Sequence, residues 1–464
     1  MIDRSDIFKK KISSLNLNEE YIKKNIFVNI FFYPKAHPEY FEKYKKINRP
    51  FHNLILIIIY NFLELLINLV RNIFNKKNKF NKIKKKYEFV IFSHYLSPKY
   101  SFENDIYFNK FFQFLNQNNI KYLIVYLPTT KEEIFKNLKK TEDVIFFKKK
   151  MDFKSEIKIL YKIFQLSFFY LNLKEINIKE KLTILGEVLN SETNHNIRMY
   201  LQTKALFNKF KFDNLITTFE GLNLEKIIFS LSKNNNCKNN IGYQHAPIIK
   251  DHNSILEFQD TEYFPDTIFT SGKFYYEILQ NKLKQKKIIN YGTSKFVFKN
   301  LTTHKKENYC LVLPEAISSE CKILFNFCKL YLENFDDIKF IWRVHPMMKI
   351  NEILDSMKIS QKLRKNIDIS ENNDEDFLKS KFCLFRGSSS VFNAIHHGCF
   401  PIYLNLEKNF NINPLYNLNE ISYVDNINSL NSLFQKENPI NMKTIQNEIS
   451  NYFKEPKLQI SDIK

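Results

Sequence analysis

The sequence predicts an α/β protein built from two doubly wound parallel-sheet domains that face one another, preceded by a helical extension. Three observations predict it. Short apolar runs alternate with longer amphipathic ones in two successive series. The 464 residues are 44% hydrophobic, with 46 Phe and 25 Tyr, which supplies apolar mass for more than one core. Five of the seven glycines, Gly221, Gly242, Gly272, Gly292 and Gly387, fall at or just past the carboxyl ends of expected strands, where open α/β sheets make tight turns and bind ligands.

The extension, residues 1–86, opens with "MIDRSDIFKKKISSLNLNEE", which carries charges where a signal peptide needs an apolar core, so secretion is not expected. Residues 54–74, "LILIIIYNFLELLINLVRNIF", would span about 30 Å as a helix, enough to cross a bilayer. Asn61, Glu64, Asn68, Arg71 and Asn75 recur at spacings of three and four and make one polar stripe. In a lipid-surrounded span Glu64 would sit near mid-membrane at a cost of a few kcal/mol. A helix lying in the interface, or docked on the protein, avoids that cost. Residues 76–86, "KKNKFNKIKKK", add seven Lys and no acid, and each near an anionic leaflet adds about 1 kcal/mol of attraction. The expected location is therefore the cytoplasm, peripherally attached to the inner face of the cytoplasmic membrane and its anionic lipid; an ordinary amphipathic helix with a solvated linker is the alternative.

Residues 87–300 form the first domain. Strands are expected at 88–93, 121–128 and 143–147, with a helix over 108–117, then a helical region over 153–212, and strands again at 214–221, 240–247 and 266–272. Residues 273–307 hold the crossover. The second domain, 301–430, repeats the alternation with strands at 308–315, 338–346, 381–389 and 399–405 and helices over 319–335 and 390–398. Residues 431–464 are a C-terminal tail.

The formal charge of +21 favours anionic partners. Only seven of the 70 basic residues are Arg, and the Lys, Asn and Ile excess matches an AT-rich coding sequence, so no nucleic-acid partner is expected. The six cysteines lack CxxC spacing and read as free thiols of a reducing compartment. GxxxxGK[ST], GxGxxG and HExxH are absent, which removes P-loop and dinucleotide readings; no metal site or cofactor is expected.

The candidate chemistry lies at the expected strand tips. "RGSSSVFNAI" sets Arg386, Gly387, Ser388, Ser389 and Ser390 where a strand becomes a helix, so hydroxyls and free backbone N–H groups converge on a positive helix end suited to phosphate. A plain serine N-cap would give the same pattern. "WRVHP" supplies Arg343, His345 and Pro346; alternation puts Arg343 and His345 on one face and packs Trp342 on the other. "LPEAISSE" brings Glu315 and Ser318 to the tip of the second domain's first strand. In the first domain "TTFEGLNLEK" places Glu220 and "GYQHAP" places His245 at strand tips, and either side chain can take a proton from an acceptor hydroxyl. Glu220 could instead be a carboxylate stabilised by a helix N-terminus. His94, Asn104 and Asp105, after the first strand, are candidate acceptor contacts.

An acidic residue before Gly, then HP, then a serine run opening a helix, in this order on two such domains, resembles the GT-B glycosyltransferases of bacterial surface polysaccharide synthesis. It is most similar to the group of sialyltransferases and Kdo transferases that use CMP-activated sugars. The matching residues are "FEG" (219–221), "HP" (345–346) and "SSS" (388–390). The resemblance implies an inverting, metal-independent capsule or lipooligosaccharide enzyme. In it Glu220 would be the general base, His345 the phosphate ligand and Ser388 with Ser389 its partners. The substrates would be a CMP-sugar donor, carrying a nonulosonic acid or Kdo, and a glycan or glycolipid acceptor. The family often has two acids before Gly, where this chain has Phe219. "YQHA" also resembles the Gln-His-Gly element of glycerophosphotransferases of teichoic-acid type, in which His is the base, so Glu220 and His245 both stay open for that role. A non-catalytic scaffold is the third alternative.

Overall fold

A computed structural model describes residues 26–28, 49–72, 86–95, 104–128, 143–174, 176–250, 252–256, 262–296, 306–315, 317–344, 348, 350–357, 359–370, 373–406, 411–418, 420–436 and 441–463. His345 and Pro346, and the lysine run apart from Lys86, lie outside them.

The first helix among the described residues, α1 (Phe51–Arg71), precedes a seven-stranded parallel sheet. Its elements run β1 (Lys86–Tyr95), α2 (Asn109–Gln117), β2 (Tyr122–Pro128), β3 (Val144–Phe146), α3 (Phe153–Leu171), α4 (Ile178–Val188), α5 (Ser191–Phe207) and β4 (Lys211–Thr218). They continue with α6 (Asn223–Lys233), β5 (Asn239–Gln244), α7 (Asn253–Leu256), β6 (Thr267–Thr270), α8 (Lys273–Lys282) and β7 (Lys287–Asn290). The strand order is β3-β2-β1-β4-β5-β6-β7. The runs Val90–Phe92 and Leu123–Leu127 are buried throughout, as strands covered by helices on both faces must be. Three successive helices start on Asx caps: Asp152 accepts from Ser155 N–H, Asn177 from Glu180 N–H and Asn190 from Thr193 N–H.

The second sheet has six parallel strands in the order β10-β9-β8-β11-β12-β13. It comprises β8 (Glu307–Leu313), α9 (Ser318–Asn334), β9 (Lys339–Trp342), α10 (Ile350–Met357), α11 (Gln361–Arg364) and β10 (Ile367–Ile369). Then come α12 (Asn373–Lys379), β11 (Ser380–Phe385), α13 (Val391–His396), β12 (Phe400–Leu404), β13 (Ser422–Val424) and α14 (Ile427–Phe434). Trp342 packs as expected, fully buried with its ring stacked 4.3 Å from that of Phe325.

Residues 441–463, with α15 (Met442–Ile449) and α16 (Ile460–Ile463), return to the first sheet. Thr293 N–H donates to Lys454 C=O and Lys457 N–H to Tyr291 C=O, while Tyr452 stacks on Phe274 and Phe453 on Phe296. Gly292, at φ +113, lets this backbone pass: a Cβ there would stand 2.6 Å from Glu455 O. Phe392, from α13 of the second domain, meets both Tyr452 and Phe453, so this segment ties the two domains together. Two doubly wound Rossmann-like domains behind a helical N-terminal element make the GT-B architecture that the sequence led us to expect.

Candidate active site

Each sheet reverses its winding once, between β1 and β4 in the first and between β8 and β11 in the second. At such a reversal the loops leave in opposite directions and open a crevice beyond the strand ends, which is where ligands bind in this class of sheet. His94 is the penultimate residue of β1 and Glu220 follows β4, so both stand at the first crevice, with His245 one strand further on. Glu315 follows β8 and the 386–390 run follows β11, at the second.

The first crevice brings the two candidate bases together. His245 Nε2 lies 3.3 Å from Glu220 Oε1, and both side chains keep a narrow edge to solvent. The Glu220 loop is fixed by its backbone. Its N–H donates to Glu225 Oε2 at 2.8 Å, its C=O accepts from Ser254 Oγ at 3.2 Å, and His252 Nε2 stands 3.0 Å from the same C=O. Gly221, at φ +77, is required here, since a Cβ would meet Ser254 at 2.6 Å. Glu225, in the first turn of α6, also accepts from Leu222 N–H and Thr218 Oγ1. The helix-terminal role that was open to Glu220 is thus filled by Glu225, and the Glu220 carboxylate is turned on His245. Glu225 escaped the sequence reading; its signal was an acid three residues after Leu222, where a helix begins.

His245 is set edge-on to Tyr107, with ring centres 4.6 Å apart, and Tyr107 also meets His94 at 6.1 Å. Burial, with the Asp105 charge adding to it, pushes the Tyr107 phenol up to about 12. His94 Nε2 lies 3.4 Å from Thr218 Oγ1. Asn104 is exposed. Asp105 corrects an expectation: it is buried and accepts from Ser93 Oγ, Tyr107 N–H and Phe108 N–H, so it anchors the turn into α2 and offers nothing to an acceptor. Desolvation raises its carboxyl above the usual range despite those bonds.

Arg386 is the second correction. It is 1% exposed, its Nε donates to Glu320 Oε2 at 2.8 Å and its Nη1 to Leu404 C=O at 2.8 Å. A guanidinium sealed in this way braces α9 against β11 and β12 and does not contact a phosphate. Gly387 gives room to Glu315, whose Oε1 lies 1.9 Å from where a Cβ would stand. Ser388, Ser389 and Ser390 are half-buried at the start of α13. Ser390 takes the cap position without a capping bond from its hydroxyl, and Ser388 Oγ accepts from Ser390 N–H at 3.4 Å. Ser318 opens α9 and is exposed. Arg343 follows β9 with its guanidinium 5.2 Å above the Phe377 ring. A separate cavity of about 510 Å³, lined by Phe27, Lys158, Tyr161, Tyr200, Leu231 and Tyr263 among others, lies on the helical side and includes none of these residues.

No protein-family model matches the sequence, and no curated protein matches it. Solved structures do resemble it. UDP-GlcNAc 2-epimerase from Methanocaldococcus jannaschii, in complex with UDP-GlcNAc and UDP, is 15% identical at a TM-score of 0.46, over 79% of this chain and 98% of that one. The glycosyltransferase of kitacinnamycin is 9% identical at 0.45, over 80% and 96%. The N-terminal domain of Candida albicans trehalose-6-phosphate phosphatase is 10% identical at 0.44, over 82% and 96%.

Proposed function

We propose that the chain is a glycosyltransferase. It would move an acidic sugar, a nonulosonic acid or Kdo, from a CMP-activated donor to a surface glycan or glycolipid, with inversion and without a metal, in the cytoplasm at the inner face of the membrane. The observation that carries the reading is the contact between Glu220 and His245 at the first crevice. An acceptor hydroxyl placed there loses its proton to this pair as its oxygen attacks the anomeric carbon. The bond from that carbon to the CMP phosphate oxygen breaks, and CMP leaves with the electron pair. The hydroxyls and N–H groups of residues 387–390, with Arg343 and the HP motif, are the groups assigned to the departing phosphate.

The same contact favours a second reading, a CDP-glycerol-type glycerophosphotransferase in which His245 is the base and Glu220 orients its ring. Both reactions release CMP, so thermal shift with CMP and UDP tests the donor nucleotide, and release of CMP from CDP-glycerol as against a CMP-sugar separates the two. A nucleotide at a hundred times its Kd stabilises by about 2.7 kcal/mol, enough to read in the melting temperature. CMP is expected to give the larger shift. Release of CMP from CDP-glycerol and not from a CMP-sugar would move the assignment to the glycerophosphotransferase, preference for UDP would overturn the CMP donor, and no shift with either nucleotide would leave the scaffold reading.

A further inference from the structure

We infer that α1 and α3 together form a bilayer-docking face, with the two helices lying side by side in the plane of an anionic membrane. The inference deepens the membrane-surface part of the reading above and rests on no catalytic assignment. On α3 the inward residues Ile159, Ile163, Leu166 and Tyr170 are buried, and Glu156 is held inside by a two-bond pair with Arg198. The outward residues of the same helix are apolar too: Phe153, Ile157, Tyr161, Phe164, Phe168 and Leu171, spaced by three and four, with Phe168 73% exposed. A helix apolar on both faces is suited to two surroundings, and the described residues supply only one of them.

On α1 the polar stripe is turned inward. Asn61 Nδ2 donates to Gly186 C=O in α4 at 2.9 Å, and Glu64 and Asn68 are half-buried. Its apolar flank is left outside, with Leu56 at 60%, Tyr60 at 68% and Val70 at 63% exposed. A spanning helix would be surrounded by lipid, whereas this one is seated on the protein along one side and open along the other. Phe62 meets Phe164 at 6.4 Å, which joins the two flanks into one surface.

Charge identifies the occupant as lipid with anionic headgroups. Lys154 and Lys158 flank the α3 stripe and are exposed, and in sequence seven Lys follow α1 within residues 76–86. The acids of α1 and α3 turn elsewhere: Glu156 is buried in its pair with Arg198, and Glu64 is half-buried in the inward polar stripe. Exposed aromatics such as Tyr60, Tyr161 and Phe168 are the side chains that settle at the headgroup boundary.

Flotation of the full chain with phosphatidylcholine vesicles carrying about 30 mol% phosphatidylglycerol at low salt tests this. The chain is expected to float, and Tyr161→Ser/Phe168→Ser on α3 is expected to lower vesicle partition about tenfold, as is Leu56→Ser/Leu63→Ser on α1. These side chains are exposed, so melting temperature and nucleotide shifts should stay at the parent values. A chain that does not float, or an α3 variant that floats like the parent, overturns the inference. So does a dimer, seen by sedimentation velocity, that ignores vesicles and dissociates in the same variants, since that result gives the face to a second copy.

Discussion

At the tip of β4 a carboxylate meets an imidazole with an edge left open; near the tip of β11 a carboxylate meets a guanidinium and both are sealed. Glu220 and His245 stand 3.3 Å apart, Glu320 and Arg386 2.8 Å apart, and the second pair is almost wholly enclosed. Glu220 and Arg386 look alike in sequence, as charged residues at strand ends beside glycine. The difference teaches that a strand-tip charge announces chemistry only where a partner can exchange a proton near neutral pH and a reactant can reach it. Histidine can make that exchange and arginine cannot.

The largest effect that can break this contrast is on turnover. Glu220→Gln and His245→Ala are each expected to lower kcat by about 10²–10⁴-fold, and the double variant by little more than the worse single one, because two groups acting as one unit do not add. Steady-state rates with the nucleotide sugar identified by thermal shift provide the check; additive losses would separate the pair into independent roles.

At the sealed pair the expected loss is in stability. Glu320→Ala leaves the Arg386 guanidinium buried without its carboxylate and is expected to cost about 3–5 kcal/mol in denaturant unfolding, whereas Glu320→Leu with Arg386→Met is expected to recover most of that. If Glu320→Ala were stable but lost nucleotide binding, Arg386 would return to the list of phosphate ligands.

A smaller effect sharpens the contrast through pH. His195, on α5, is a hidden group that can titrate: burial, then the charges of Arg198 and Lys149, push its imidazole down to about 4 from 6.5. Between those values the unfolded chain holds the proton and the native state does not, so stability rises with pH through the window. Acidification from neutrality to pH 4 should remove about 3 kcal/mol through this residue alone. Urea midpoints from pH 4 to 7 for the parent and His195→Gln should show the variant with the shallower slope, and equal slopes would remove the effect.

Much of the fold was legible because both sheets are parallel and covered on both faces, so that their central strands read as continuous apolar runs. The three strands not anticipated, β7, β10 and β13, are all at sheet edges and have three or four residues each, too short for a period to register. Candidate site residues were legible singly, and their pairings were not. Glu220 and His245 are 25 positions apart on neighbouring strands, and Arg386 finds its carboxylate 66 positions upstream. Sequence spacing shows which strand tips carry charge; sheet order decides which of them meet.

The return of residues 441–463 to the first sheet also sets an order of events during synthesis. Thr293 waits for Lys454, and Phe274 for Tyr452, some 160–180 residues later in the chain. At roughly 5–20 residues per second on the ribosome, that is a delay on the order of ten to thirty seconds. Throughout it the nascent first domain holds an aromatic seam, Phe274, Tyr275 and Phe296, without the Tyr452 and Phe453 rings that pack on it in the finished fold. A chain stalled before residue 441 would therefore carry both sheets and still be a client for chaperones.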